Sequence, residues 1–168
     1  SFEDCVNCTN QPYIKQPKYW GAIDSIFAFM YCGVAPPINN LPYFASGYQY
    51  PRTGNYVIGA TLYCDISTCN YENSRNYPRN RLKQKLKKDE IYCVKYYVNN
   101  SNANSVAIDG FGAYFEDESL DTVKYCRIPL TNFIPQLNNT TGNIITDTMD
   151  WVLVTGTFVA TGKEKYMV

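Results

Sequence analysis

The chain has 168 residues, a formal net charge of zero and no histidine. Its length suits one sandwich or barrel domain, and zero net charge gives no electrostatic argument for nucleic acid or an anionic membrane surface. The lack of imidazole excludes Ser-His-Asp triads, Cys-His nucleophile pairs and His-built metal centres.

In chain order, residues 1–54 are punctuated by Pro12, Pro17, Pro36, Pro37, Pro42 and Pro51, which favours extended loops over long helices. Ile23–Tyr31 is the one stretch with helical promise, or else a loop whose apolar side chains plug the core. Asn55–Tyr63 is rich in β-branched and aromatic residues and predicts a strand. Residues 65–80 read as a polar loop. Over Arg79–Leu86, Leu82, Gln84 and Leu86 alternate with Arg81, Lys83 and Lys85, a period of two that puts the cations on one solvated strand face. Lys87–Glu90 reads as a hairpin turn. Ile91–Asn99 is apolar on nearly both faces and predicts a central strand. Ala107–Glu116 predicts another strand, with Gly110 and Gly112 leaving room for a bulge or a close neighbour. Glu116, Asp117, Glu118 and Asp121 form an acidic turn without calcium-loop spacing, and residues 122–148 are loop-rich. Trp151–Ala160 predicts a strand with Trp151 in the core. A turn over Thr161–Glu164 then leads to a short strand at Lys165–Val168. A strand that short at a chain end is expected to leave unpaired backbone groups along an open edge. No internal repeat is visible. Strands, Gly/Pro/Asn turns and little helix predict an all-β, antiparallel two-sheet sandwich with long loops, one domain over 1–168.

Sixteen tyrosines and few charged side chains suit a rigid, hydrogen-bonding extracellular surface, and no apolar run approaches the ~20 residues of a membrane helix. The first residues carry no signal-peptide pattern, so a mature form or a fragment is expected. Seven cysteines point to disulfides in an oxidising compartment. Cys5 and Cys8 have C-x-x-C spacing, but no second such pair and no histidine complete a zinc site. Cys64 and Cys69 enclose a short loop and are the simplest pair. Cys93 with Cys126 and Cys8 with Cys32 are the next, leaving Cys5 free or paired outside the chain. Spacing alone leaves the connectivity open.

Several segments together resemble a known domain family. They are Phe2 and Glu3 near the start, Gly47–Asn55, Ile108–Phe115, and Asp150 and Trp151 followed by Thr155–Gly162. Their order is similar to the jelly-roll domain of secreted surface proteins of gliding, Bacteroidetes-type bacteria. That domain looks like carbohydrate-binding modules of the galactose-binding-like class. The resemblance spans most of the chain. It implies a non-catalytic module, exported through the outer membrane by type IX secretion and belonging to a larger protein. The family pattern runs on past the equivalent of Lys165–Val168 into a longer strand and one further strand, so the domain is expected to lack its final strands. The cysteine content exceeds that of the family. Related jelly rolls hold a structural calcium with a carboxylate placed like Glu3 and an Asp of the last strand, so the resemblance implies calcium at Glu3 with an incomplete ligand set. Ser25, Thr122 and Thr148, each preceded by Asp, match the O-glycosylation pattern of exported proteins of that lineage. Asn7, Asn99, Asn138 and Asn139 match the N-glycosylation pattern and would be silent in a bacterium.

Glycan binding needs flat aromatic faces with planar hydrogen-bonding groups, and Trp20, Tyr48, Tyr50 and Arg52 could supply them; the plainer reading packs these rings at loops or at a protein interface. No pair of carboxylates is marked as the opposed acids of a glycosidase, and no enzyme is expected. The expectation is a secreted cell-surface module for adhesion or extracellular assembly, one form of which is a filament subunit completed by strand donation. The alternative is a carbohydrate-binding module of a larger secreted enzyme or adhesin. Its expected partners are other surface-protein domains, like subunits or glycans, with no nucleic acid and no membrane insertion.

Overall fold

A computed structural model describes residues 19–23, 29–32, 41–44, 47–64, 74–122 and 129–168. In chain order the strands are β1 (Trp20–Ala22), β2 (Phe29–Cys32), β3 (Tyr43–Phe44), β4 (Gly47–Tyr48), β5 (Tyr56–Gly59) and β6 (Pro78–Arg81). They continue with β7 (Ile91–Val98), β8 (Gly112–Ala113), β9 (Phe115–Glu116), β10 (Leu137–Asn138), β11 (Val152–Val159) and β12 (Tyr166–Met167). One turn of 3-10 helix, Ser119–Thr122, is the single helical element among the described residues. Every strand pairing is antiparallel. The expected all-β class is therefore what the chain adopts, and no helix among the described residues is long and apolar enough to cross a membrane.

β7 and β11 pair along their full length, from Ile91 opposite Val159 to Val98 opposite Val152. Alternation divides each strand into two faces. Val94, Val154 and Phe158 are buried on the inner face, whereas Ile91, Cys93 and Lys95 and the opposing Leu153, Thr155, Thr157 and Val159 are exposed. The inner face lies on β8, β9, β10 and β12, giving a sandwich-like core of Val94, Ala113, Phe115, Leu137, Phe158 and Ala160. Phe158 stacks on Phe115 at 4.5 Å between ring centroids, joining the two layers. Burying a ring of this kind contributes about 1.5–3 kcal/mol. Leu82, Leu86, Tyr92, Tyr96 and Met167 close the margin of this cluster. Gly156 is required by the fit: a Cβ there would stand 2.0 Å from Leu137 Cδ1.

The four-stranded sheet runs β1-β6-β12-β9, so the last strand is internal. Tyr166 and Met167 face Arg81 and Asn80 of β6 on one flank and Glu116 and Phe115 of β9 on the other. Val168 exchanges both backbone hydrogen bonds with Tyr114, each 2.8 Å. The expectation of an open edge along Lys165–Val168 is corrected, because both flanks carry a neighbour. Met167 turns to the core and Tyr166 to the opposite face. There Arg79 lies 3.7 Å above the Tyr166 ring and pairs with Glu116, donating from Nε to Oε1 at 2.8 Å. Glu116, only 3 % exposed, also accepts from the backbone N–H groups of Glu118 (2.7 Å) and Leu120 (3.4 Å), which folds the 3-10 turn over it. Glu116 thus departs from the expected solvated acidic turn, of which Asp117 and Glu118 are the exposed part.

Other expectations change for local reasons. Phe29–Cys32 pairs with β5, so the end of the segment with helical promise is strand, while residues 24–28 lie outside the described residues. The strand expected over Arg79–Leu86 ends at Arg81; the chain bends at residues 83–84, Leu82 and Leu86 reach the core and Gln84 is exposed. The strand expected over Ala107–Glu116 is split at Tyr114 into β8, which meets β10, and β9, which meets β12. Gly112 does mark a close neighbour, since a Cβ there would meet Leu137 O at 2.3 Å. Among the described residues β7 pairs with β11 alone rather than lying at the centre of a sheet. Cys93 is a free thiol on its exposed face, which corrects the expected pair with Cys126, a residue outside the described ones. A turn forms at Lys87–Glu90, with Glu90 N donating to Lys87 O at 3.3 Å, but it is not the hairpin turn expected, because β6 and β7 on either side of it belong to different sheets.

Glu164, 3 % exposed, organises the turn before β12. Its carboxylate accepts from Thr161 N (2.7 Å), Thr161 Oγ1 (2.8 Å) and Gly162 N (3.0 Å). Burial alone would raise its pKa, but the N–H and hydroxyl donors of the turn outweigh it and hold the carboxyl below its ordinary value. A lowered folded pKa means that this stability is present above the unfolded pKa and is lost as pH falls through the folded one. Glu164→Gln is expected to cost about 1–2 kcal/mol at neutral pH. In thermal unfolding across pH, the gap from the parent chain should close as the pH drops below 4.5. For the core, Gly156→Ala should destabilise by about 1–3 kcal/mol through overpacking, and Leu137→Ala in the same chain should recover part of that loss in a double-mutant cycle.

Candidate functional site

The sequence segment around Tyr43–Arg52 builds an aromatic platform. β3 and β4 form a tight hairpin with Tyr43 opposite Tyr48 and Phe44 opposite Gly47. Gly47 has φ +133° and a Cβ there would fall 2.3 Å from Asn102 Oδ1, so only glycine fits this position. The close approach lets Asn102 Oδ1 accept the Tyr48 N–H at 2.9 Å, pinning the hairpin to the loop after β7. Tyr48 meets Tyr43 edge-on at 4.8 Å and Tyr50 edge-on at 5.6 Å, the arrangement that ring quadrupoles favour. Tyr43 and Tyr50 are 67 % and 61 % exposed, so both project from the surface on either side of Tyr48.

Three further side chains brace this segment. Gln49, buried between the exposed tyrosines, donates from Nε2 to Met149 O at 3.2 Å and accepts Tyr50 N at Oε1 at 3.2 Å. Trp151 donates its indole N–H to Tyr50 O at 3.0 Å. Arg52 lays its guanidinium 3.4 Å over the Tyr97 ring, a cation–π contact. The supporting loop is itself tied down. Asp147 Oδ1 accepts Met149 N (2.9 Å) and Asp150 N (2.7 Å), and Asn99 Nδ2 donates to Asp147 O (3.1 Å) and Asp150 O (2.9 Å). The N–H groups of Asp150 and Met149 hold the Asp147 carboxyl below its ordinary pKa.

The central phenol, Tyr48, stays uncharged. Hydrogen bonding with the Tyr50 side chain, then desolvation and the neighbouring phenols of Tyr50 and Tyr43, push Tyr48 up to about 12. Ring faces, neutral hydroxyls and one guanidinium make a surface suited to ligands that are apolar on one face and hydrogen-bonding at the rim, such as sugar rings or interface side chains.

Of the residues expected to bind ligand, Tyr48, Tyr50 and Arg52 are brought together here. Trp20 lies on β1 opposite Asn80, at an edge of the four-stranded sheet among the described residues. With the Asn80 carboxamide turned to satisfy both groups, its oxygen accepts the Trp20 indole N–H at 2.8 Å. Trp151 is half-buried and serves as a brace rather than as the core residue expected. The sequence reading missed Tyr43, Gln49, Tyr97 and Asn102. Tyr43 could have been found from its position across Gly47 from Tyr48; the others join the site only through tertiary contact.

The remaining expectations fall elsewhere. Glu3, Cys5, Cys8, Ser25, Cys69 and Cys126 lie outside the described residues, as do the side chains of Cys32 and Thr122. Cys64 is half-buried. Thr148 is half-buried in the turn that supports the platform. Three of the described acids are held in structural contacts: Glu116 by Arg79, Glu164 by its turn, and Glu118 by Lys165 at 2.7 Å.

Comparison with protein families, curated proteins and solved structures finds no match to this chain. The site must therefore be interpreted from its own chemistry.

Trp151→Phe keeps the ring and removes the N–H tie to Tyr50 O. It is expected to cost about 1 kcal/mol. NMR relaxation should show greater mobility confined to residues 48–52; unchanged relaxation there would remove Trp151 from its bracing role.

Proposed function

We propose that the chain is a non-catalytic module of an exported cell-surface protein that acts in adhesion or extracellular assembly. The observation that carries this reading is the braced aromatic platform, with Tyr43 and Tyr50 exposed while the peptide beneath them is fixed by Gln49, Asn102 and Trp151. Rigid, exposed tyrosines lose little conformational freedom on contact, which favours a binding role. The acids held by Arg79, Lys165 and the turn at Thr161–Glu164 support a structural rather than a catalytic use of carboxylates.

The sandwich-like layers are compatible with the jelly roll implied by the sequence resemblance, and we read the domain in that way. Export by type IX secretion, a cell-surface location, pairing of Cys64 with Cys69, structural calcium at Glu3 and sugar on Ser25, Thr122 or Thr148 belong to the same proposal. Assembly by strand donation would use an outer sheet edge such as β1, because β12 already has neighbours on both sides.

The alternative is a carbohydrate-binding module, favoured by the exposed Tyr43 and Tyr50 rings around Tyr48. A Tyr43→Ala/Tyr50→Ala variant separates these readings. Adhesion to cell-envelope material and self-association, followed by sedimentation, should fall by at least ~10-fold, as expected when aromatic anchors are removed, with thermal stability retained. Binding on a glycan array that is lost in the same variant would select the carbohydrate reading. A parent chain that neither adheres, assembles nor binds glycans would contradict both.

A further inference from the structure

The segment after β6 carries a second exposed surface of different chemistry. Arg79, Arg81, Lys83, Lys85, Lys87 and Lys88 hold six of the chain's fifteen cations within ten residues, although the whole chain is neutral. Arg79 is committed to Glu116. The other five are exposed. The reason is the bend at residues 83–84: with Leu82 and Leu86 anchored against the core, Lys83, Gln84 and Lys85 are all directed to solvent.

The acids facing this surface leave much of it uncompensated. Lys87 has Glu90 at 3.4 Å and Lys88 has Asp89 at 3.8 Å, both as exposed pairs that water screens. Across β12, Glu118 is taken by Lys165, while Asp117 is exposed beside them. Arg81, Lys83 and Lys85 have no carboxylate partner among the described residues. The turn over Thr161–Glu164 packs on this region, with Gly162 against Lys88, and adds the exposed Lys163; the acid of that turn, Glu164, is buried in its own hydrogen bonds.

We propose that the face formed by Arg81, Lys83, Gln84, Lys85 and Lys163 binds a linear acidic polysaccharide. Lysine ammonium groups are mobile point charges suited to carboxylates or sulfates spread along a polymer. Gln84 stands between two of them and offers an amide to sugar hydroxyls. The surroundings argue against single-stranded nucleic acid and a bilayer. Single-stranded nucleic acid needs ring faces for its bases. No residue from Arg81 to Lys88 is aromatic, the neighbouring Tyr166 ring is covered by Arg79, the Tyr92 ring packs on the core beside Phe158, and the exposed Tyr19, whose carbonyl accepts Arg81 N at 2.8 Å, offers a single ring rather than a row of them. A bilayer needs apolar side chains to insert, and Leu82 and Leu86 face inward. This site is separate from the aromatic platform and does not depend on it.

The test is binding of the whole chain to polygalacturonate and to heparin, with neutral dextran, duplex DNA and anionic phospholipid vesicles as comparisons. The proposal expects salt-sensitive binding to the two acidic polysaccharides and none to dextran. Lys83→Glu/Lys85→Glu should weaken it by at least ~10-fold and lower the dependence of log affinity on log salt by about two, one per lost contact. Lys83→Gln/Lys85→Gln should do the same in milder form, guarding against a folding defect. Lys95→Glu on β7 should bind as the parent does, and the adhesion reading is tested separately through Tyr43 and Tyr50, so failure here is distinguishable from failure of that reading. Equal binding by the parent and by folded Lys83/Lys85 variants would overturn the proposal. So would no binding to either acidic polysaccharide, or tighter binding to DNA or vesicles.

Discussion

The ion pair between Arg79 and Glu116 spans the last strand of the chain. Arg79 comes from β6, Glu116 from β9, and Tyr166 of β12 lies between them beneath the guanidinium. This places two charges in a nearly dry position, which is tolerable only because each finds further partners. Arg79 gains the Tyr166 ring, and Glu116 gains the N–H groups of Glu118 and Leu120. Removing either charge would strand the other, a cost of about 3–5 kcal/mol for buried pairs. The pair couples three strands distant in sequence and draws the 3-10 turn over the outer face, where Leu120 becomes the most deeply buried large side chain. On the inner face, Met167 and Phe115 then stand in register against Phe158.

The two surfaces discussed above follow from that frame. The β7–β11 ribbon is held to the sheet by its inner face, and its ends carry the loops that matter. At one end the loops after β7 and before β11 supply Asn102, Met149 and Trp151 to the platform. At the other, the turns at Lys87–Glu90 and Thr161–Glu164 meet, with Ala160 N bonded to Glu90 O at 2.9 Å, and present the lysines. Aromatic contact and cationic contact are thus built on opposite ends of one rigid ribbon. In a surface module this allows two kinds of partner to be engaged without sharing side chains.

Much of the fold was legible in residue order. The β-branched and aromatic residues of Ile91–Asn99 and Trp151–Ala160 specify strands, although Ile91–Asn99, apolar on nearly both faces in sequence, buries only one of them, and the turns at Lys87–Glu90 and Thr161–Glu164 carry their own local chemistry. What could not be read was which strands become neighbours. Lys165–Val168 is as short as an edge strand, yet it is flanked on both sides, because pairing is decided by tertiary partners such as Glu116 and Arg79 rather than by strand length. The period-two pattern of Arg79–Leu86 misled in the same way: Leu82 and Leu86 are satisfied by a bend as well as by a strand. For the site, Tyr48, Tyr50 and Arg52 were visible as a cluster of binding residue types. Gln49, Asn102 and Trp151 were not, because their role lies in hydrogen bonds to peptide groups up to 101 positions away.

The central claim is that the last strand is an internal, load-sharing member of the four-stranded sheet. Native-state hydrogen exchange read at single amides tests it most directly. The account predicts that the Met167 and Val168 amides exchange only through the same global opening as Val94 and Phe158 of the ribbon, with equal dependence on denaturant. Exchange of Met167 and Val168 at rates near those of a fraying chain end, with Val94 and Phe158 still protected, would contradict it.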